Sequence, residues 1–357
     1  MSKGRVCVAM SGGVDSSVAA LVLRDAGYEV VGLTMQLYDR GAERAWGRCC
    51  APEDVADARE VAAELGIAHY VVNYEDRFRE RVVDYFVGEY AAGRTPIPCI
   101  PCNHRLKFAD LLERALALGA DFLATGHYAR LELTGGRARL LRARDPRKDQ
   151  SYFLFGVPPE ALARARFPLG EMEKAETREI ARRAGLPTAE KRDSQEVCFV
   201  PADGAGAFVE RALGGARAGE IVGVDGAPLG DHAGVFHYTV GQRRGLGVPS
   251  SDRLYVLELD GERNRVVVGG REGLRRAGLE ADEALWIDRP EGAAAFEATV
   301  KIRYNAPDVP CVVRPDEGGF SLRFGEPQEA VAPGQAAVLY RDEAVLGGGF
   351  ISRALAA

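Results

Sequence analysis

The stretch Met10-Ser11-Gly12-Gly13-Val14-Asp15-Ser16-Ser17 limits what this chain can fold into more than any other. It follows an apolar, strand-like run, Val6-Cys7-Val8-Ala9, and opens an apolar, helix-like run, Val18-Ala19-Ala20-Leu21-Val22-Leu23. A strand feeding a glycine turn and then a helix start is a ready anion site. The first backbone N–H groups of the helix lack intrahelical partners, and the dipole favours negative charge there. Gly12 and Gly13 let the chain approach an oxyanion closely, and Ser11, Ser16 and Ser17 add hydroxyl donors. Asp15 beside a bare phosphate is unfavourable, so a metal or a cationic partner is implied. No Gly-Lys-Ser/Thr follows, which excludes the Walker loop.

The octet resembles the PP-loop of enzymes that split ATP into AMP and pyrophosphate and adenylate a carbonyl oxygen. The expected cofactors are ATP and Mg2+. Strand-like and helix-like runs alternate beyond it. Strands are expected at Tyr28–Met35, His69–Asn73 and Phe122–Thr125, and helices at Pro52–Leu65, Arg77–Tyr90 and Leu106–Leu118. That order predicts an α/β, doubly wound parallel sheet whose ligands sit at the carboxyl ends of the strands. Ala9, Met35, Thr125 and Gly126 fall there.

After Arg130 the pattern changes. Leu131–Leu133 and Ala138–Leu141 flank Gly135-Gly136 as a hairpin, and Lys174–Ala184 reads as a helix stopped by Gly185 and Pro187. Short strands follow at Glu220–Val224, Val235–Val240, Leu254–Leu259 and Val266–Gly269. Further strands at Glu297–Tyr304, Pro310–Arg314, Phe320–Phe324, Ala336–Tyr340 and Val345–Phe350 suggest a small closed barrel. At 357 residues the chain fits two or three domains. The expected division is a catalytic domain at 1–200, a small mainly-β central domain at 201–275 and a C-terminal β-barrel at 276–357.

The net charge of −6 does not advertise a nucleic-acid binder, but Arg137, Arg139, Arg142, Arg144, Arg147 and Lys148 form a basic stripe against Asp145 alone. Such a stripe serves equally as a phosphate contact or as a solvated strand face. No apolar run is long enough for a transmembrane helix, and the start leads straight into the glycine loop, so a cytoplasmic protein without membrane contact is expected.

Seven cysteines in such a chain argue for catalysis or metal binding rather than structural disulfides. Gly93-Arg94-Thr95-Pro96-Ile97-Pro98-Cys99-Ile100-Pro101-Cys102-Asn103 is a proline-spaced loop before a helix, and Cys102 near a helix N-terminus is the setting of a reactive thiol. A zinc knuckle would need a second Cys/His pair. Cys198, between Val197 and Phe199, reads by default as a core residue, as do Cys7 and Cys311. Cys49-Cys50 receives no role.

Taken together, six motifs resemble one family: Ser11–Ser17, Gly93-Arg94-Thr95-Pro96 with Cys102-Asn103, Ala124-Thr125-Gly126-His127-Tyr128, Lys148-Asp149-Gln150-Ser151-Tyr152-Phe153, Ser194–Phe199, and Thr239-Val240-Gly241-Gln242-Arg243-Arg244-Gly245-Leu246. They are similar to those of the tRNA-specific 2-thiouridylases, which replace the C2 oxygen of a wobble uridine with sulfur. The resemblance implies that Ala9, Met10, Ser11, Gly12, Gly13, Val14, Asp15, Ser16, Met35 and Gly126 hold ATP. It implies that His127, Lys148, Asp149, Gln150, Arg303, Tyr304 and Gln335 touch tRNA. Arg243 and Arg244 are expected to add phosphate contacts, and Ile97, Pro98 and Cys99 to form the loop at the target base.

By the same resemblance Cys198 carries sulfur as a persulfide supplied by a cysteine desulfurase or a relay protein. Cys102 is its partner thiol, and a Cys102–Cys198 disulfide is left for a cellular thiol to reduce. Many relatives carry Asp where Cys99 stands. Cys99, Cys102 and Cys198 are therefore also candidate ligands of an iron–sulfur cluster, and both routes stay open. Two rival functions are a PP-loop synthetase that forms amides with ammonia and a non-catalytic RNA-binding module. No glutaminase-like segment supports the first, and the intact loop speaks against the second.

Overall fold

A computed structural model describes residues 3–37, 52–193, 197–290 and 292–356. Cys49-Cys50 and Ser194-Gln195-Glu196 lie outside the described residues. The chain divides into two compact units, one made of residues 1–82, 99–200 and 342–345, the other of 83–98, 201–341 and 346–357.

The first unit is built on a five-stranded parallel sheet. Its strands are β1 (Arg5–Ala9), β2 (Glu29–Gln36), β3 (Ala68–Asn73), β4 (Phe122–Thr125) and the short β7 (Ala165–Arg166), in the order β3-β2-β1-β4-β7. Val6, Cys7 and Val8 are fully buried, because a parallel strand covered on both faces must be apolar throughout. The chain leaves β1 for β2 and β3 on one side and returns to β4 on the other. Ligands of such sheets bind where the order reverses. The register puts Ala9 beside Leu33 on one side and Thr125 on the other, so three strands end together around the glycine loop. Helix α1 (Val14–Asp25) starts there, and α2 (Pro52–Leu65) is the second helix.

The second expected strand and the two helices named so far lie where they were read. The helix expected at Arg77–Tyr90 is present as consecutive helical turns, Glu75–Phe78, Arg79–Val83 and Asp84–Ala91, but the helix expected at Leu106–Leu118 does not start there. It begins at Cys99, not Leu106, with a turn at Cys99–Pro101, wide π-type turns over Cys102–Leu111 and an α-helical end at Leu112–Ala117 (together α3). Pro98 and Pro101 read as loop signals, but proline needs no N–H partner in a first turn. Beyond β4, the hairpin of β5 (Arg130–Thr134) and β6 (Arg137–Leu141) matches expectation. Helix α4 (Lys174–Arg183) opens with a capping box between Glu173 and Glu176. Its Ala181 packs in the same buried cluster as Val14 and Val18 of α1.

In the second unit, β8 (Gly219–Gly223), β9 (Pro228–His232), β10 (Tyr255–Asp260) and β11 (Arg265–Gly269) form a mixed sheet in the order β10-β11-β8-β9. The strand expected at Val235–Val240 is instead a single 3-10 turn, Val235–His237. Val235 and Phe236 are both buried, and two consecutive buried side chains do not suit a one-faced strand. The expected barrel is present and closed. Strands β12 (Arg275–Trp286), β13 (Phe296–Lys301), β14 (Val309–Pro315), β15 (Gly319–Glu329), β16 (Ala336–Arg341) and β17 (Ala344–Ala356) run in the order β12-β15-β14-β13-β16-β17, and β17 pairs back with β12. Leu279, Val300, Val313, Phe320, Leu322 and Leu339 fill its interior. Among the described residues no helix is long and apolar enough to cross a membrane.

Candidate active site

The loop after β1 is held by its own hydroxyls. Ser11 donates its backbone N–H to Ser16 Oγ (3.1 Å), and the Ser16 and Ser17 hydroxyls donate to the Gly13 carbonyl (3.1 and 2.9 Å). Met10 donates its N–H to the Leu33 carbonyl, and Thr34 Oγ1 donates to the Met10 carbonyl (both 2.8 Å). Gly12 has φ of +70°, and a Cβ there would lie 2.1 Å from the Asp54 carbonyl oxygen. Gly13 is different. Its backbone is extended, and a Cβ would meet only Ser11 Oγ at 3.5 Å. Gly126 presses on the loop from β4's end, where a Cβ would be 2.8 Å from Ser16 N.

A pocket opens in front of this loop. Ala9, Met10, Ser11, Asp15 and Ser16 line one side, and Leu33, Met35, Leu111 and Gly126 give it apolar walls. Thr125, His127, Lys107 and Gln150 complete it. His127 was expected at a tRNA contact and stands here in the pocket wall. Its Nδ1 is 2.7 Å from Thr125 Oγ1, and Phe108 and Phe167 pack around it. Burial, with Lys107 nearby, holds its pKa well below the usual histidine value, so the ring is neutral at neutral pH. Lys107 donates to Asn103 Oδ1 (3.0 Å), and Asn103 Nδ2 donates to the Phe153 carbonyl (3.0 Å).

Asp15 has the cationic partner its position implied, and it comes from 159 residues away: Lys174 Nζ lies 2.7 and 2.8 Å from its two oxygens. Tyr128 OH donates to the same carboxylate (2.9 Å), and its pKa is raised by burial and by the Asp15 charge. Lys174 also reaches Asp193 (2.9 Å), which in turn takes Lys148 and Arg178, both at 2.8 Å. Burial opposes ionisation of Asp193, but the bonds from Lys148 and Lys174 win and hold its pKa down at about 2. A further lysine, Lys191, donates to the Gly12 carbonyl (2.9 Å) and pairs with Asp54 (2.6 Å) and Asp57. None of Lys174, Lys191 or Asp193 stood out in the sequence. The one available signal was a lysine at the first position of a strongly polar helix.

Four arginines of the basic stripe are paired with carboxylates. Arg139 meets Glu132, Arg142 meets Asp149, Arg144 meets Glu176, and Arg147 meets Asp145. Asp149 is buried and accepts from the backbone N–H groups of Ala143 and Ser151 and from the Ser151 hydroxyl, which fixes the turn that presents Lys148 and Gln150. Gln150 Oε1 accepts from the Tyr128 N–H (3.0 Å). In the second unit Arg243, Arg244 and Arg303 are exposed and Tyr304 is partly so. Gln335 Nε2 donates to the Thr95 carbonyl (2.8 Å), and the Thr95 N–H donates to the Pro333 carbonyl (2.8 Å), which places the Gly93–Thr95 motif beside Gln335. Ile97 and Pro98 belong to the second unit, and Cys99 starts α3 in the first.

The cysteines separate by environment. Cys99 is exposed, and Cys102 and Cys198 are partly exposed. Cys198 is thus not the core residue its neighbours suggest. Phe199 is the buried one, packed edge-on against Phe78 at 5.6 Å. Cys7 and Cys311 are buried, and burial pushes their thiols up to about 11 and about 12. At pH 8 the thiolate fraction of Cys7 is about one in a thousand. Brief iodoacetamide treatment at that pH, read by peptide mass analysis, should label Cys99, Cys102 and Cys198 and leave Cys7 and Cys311 unlabelled. Among the described residues no three His, Cys, Asp or Glu side chains converge to hold a metal. Among the described residues Cys99, Cys102 and Cys198 are thus not gathered into the three-thiolate set expected of an iron–sulfur cluster.

Comparison with known proteins agrees with this architecture. Residues 4–202 match the family model described as a tRNA methyl transferase HUP domain, 206–270 a tRNA methyl transferase PRC-barrel domain, and 276–351 an aminomethyltransferase beta-barrel domain. The chain is 49% identical to the tRNA-specific 2-thiouridylase MnmA of Geobacter metallireducens, over 99% of this chain and 98% of that protein. It is 51% identical to the MnmA of Magnetococcus marinus, over 97% of this chain and 98% of that one. With a phosphate loop, a pocket at the sheet's switch point and near-complete coverage at such identity, the chain belongs to the tRNA-specific 2-thiouridylase family.

Proposed function

We propose that the protein is an ATP-dependent tRNA-uridine 2-sulfurtransferase acting on the wobble uridine. The observation that carries this reading is the pairing of the Ser11–Ser16 loop with a half-apolar pocket at the carboxyl ends of β1, β2 and β4. Backbone N–H groups at the start of α1 would hold the phosphates, with Gly12 and Gly13 giving close approach. Met35, Leu33, Leu111 and Gly126 would flank the adenosine. Asp15, a carboxylate on the pocket wall, fits a Mg2+ that accompanies the triphosphate and screens its charge. Arg243, Arg244, Arg303, Tyr304, Gln335 and Lys148 would contact tRNA, with Ile97, Pro98 and Cys99 near the target base. Neutral His127, with Gln150, would border base and nucleotide.

The chemistry follows from what uracil lacks, a leaving group at C2. The uridine O2 attacks the α-phosphorus of ATP and expels pyrophosphate, giving an O2-adenylate. The terminal sulfur of a Cys198 persulfide, loaded by a cysteine desulfurase or a relay protein, attacks C2 and expels AMP. The Cys102 thiolate then attacks Cys198 Sγ, the S–S bond breaks, and the terminal sulfur stays on C2. A Cys102–Cys198 disulfide remains, and two electrons from a cellular thiol restore both thiols. The partial exposure of both cysteines supports this route, since each must meet a partner in turn. Cys99 has no electron-transfer role in this scheme, so Cys99→Ala should keep most of the activity.

A direct test is the release of pyrophosphate and AMP from ATP with tRNA and persulfide donor present. The expected result is release that requires tRNA. Release that requires an amino acid or ammonia instead would move the protein to the amide-forming class, and absence of turnover would leave an RNA-binding module.

A further inference from the structure

Lys174 is placed between two carboxylates. Its three N–H protons serve both oxygens of Asp15 and one oxygen of Asp193, and its side chain is only 12% exposed. Asp193 has the opposite task, with two oxygens for three cations: Lys148, Lys174 and Arg178. Arg178 is fixed by further bonds to the Ala189 and Lys191 carbonyls, both 3.1 Å. The two lysines are the cations able to move. Lys148 is the more accessible, at 36% side-chain exposure.

We propose that Asp193 is a positioning residue in an ionic chain, Lys148–Asp193–Lys174–Asp15, through which tRNA at Lys148 and nucleotide at Asp15 each raise the affinity for the other. The proposal rests on the reading above that Lys148 meets tRNA and that Asp15 faces the triphosphate and its cation. When a tRNA phosphate draws Lys148 away, Asp193 loses a counter-charge and attracts Lys174 more strongly. Lys174 then leaves Asp15, whose carboxylate becomes available to the cation bound to ATP. The same shift runs in reverse. A cation at Asp15 repels Lys174 toward Asp193, which frees Lys148 for phosphate. Binding linkage requires the two effects to be equal in size. The arrangement would make the enzyme commit ATP when its RNA is in place, because an adenylating site without an acceptor exposes ATP to water.

The test is equilibrium binding of a non-hydrolysable ATP analogue with Mg2+, measured with and without unmodified tRNA. In the wild type, tRNA should tighten the analogue by about tenfold, and the analogue should tighten tRNA by the same factor. Asp193→Asn replaces the shared charge with an amide, and the coupling should fall within about twofold while both ligands still bind. Lys148→Met at the half-exposed end should weaken tRNA binding and bring the coupling within the same twofold, and it carries the test if Asp193→Asn lowers the melting temperature too far. Arg144→Ala, a nearby cation outside the chain, should keep the full tenfold. Coupling that survives in both Asp193→Asn and Lys148→Met would overturn the proposal. So would a wild type that binds both ligands independently, which leaves the thiouridylase reading standing. A wild type that binds no tRNA at all would instead sink that reading, and the ionic chain with it.

Discussion

Gly12→Ala should remove nucleotide binding, weakening it by about a hundredfold or more, whereas Gly13→Ala should weaken it by only a few-fold. The sequence offers the two glycines as equals. The backbone separates them, because Gly12 has a left-handed φ of +70° and Gly13 an extended one of −98°. A β-carbon at Gly12 meets a left-handed penalty of about 1–2 kcal/mol and also the Asp54 carbonyl at 2.1 Å. The carbonyl belongs to the first turn of α2, whose Asp54 is tied through Lys191 to the Gly12 carbonyl, so the loop cannot yield without disturbing that turn. A hundredfold loss corresponds to about 2.7 kcal/mol, within reach of those two effects together. Titration calorimetry with an ATP analogue decides it, alongside a thermal melt to show that the variants fold. Equal affinities for the two variants would mean that the loop's backbone does not carry the phosphates.

The second large effect belongs to the thiols. Cys198→Ser and Cys102→Ser should each reduce tRNA thiolation to below about one-thousandth of wild type, since an alkoxide does not replace a thiolate in sulfur transfer. Both variants should still release pyrophosphate when tRNA is added, because adenylation precedes sulfur transfer and uses the pocket at the other set of residues. The combination of the two results is the informative one. Loss of pyrophosphate release together with thiolation would show that these cysteines build the adenylation site. Persistent thiolation in Cys102→Ser would show that an external thiol resolves the persulfide.

The parts of the fold that were legible share a cause. Buried parallel strands must be continuously apolar, so Val6–Ala9 and Phe122–Thr125 declared themselves, and glycine at the turns marked the helix ends. The barrel strands with branched and aromatic residues at alternate positions were equally clear. Strand β12 was missed because its inward positions offer only Leu279 and the small Ala281 between Glu280 and Asp282. The start of α3 was hidden by prolines that a first turn tolerates. Within the site, the loop octet was legible because its chemistry is local. Lys174 and Asp193 were not, since their meaning depends on pairs brought together from 159 and 45 residues away. The basic stripe stayed undecided between its two readings for the same reason: its charges are visible in sequence, but the acids that pair with them, Glu132, Glu176 and Asp149, are assigned only by folding. Cys198 was masked by its neighbours, because Phe199 supplies the burial that the local pattern promised for both.

The most direct measurement is nucleoside mass analysis of unmodified tRNA incubated with the protein, a cysteine desulfurase system, ATP and Mg2+. The expected product is 2-thiouridine at the wobble position, formed only when ATP is present and absent with Cys198→Ser. Sulfur at another position or on another atom of the base, or 2-thiouridine formed without ATP, would contradict it.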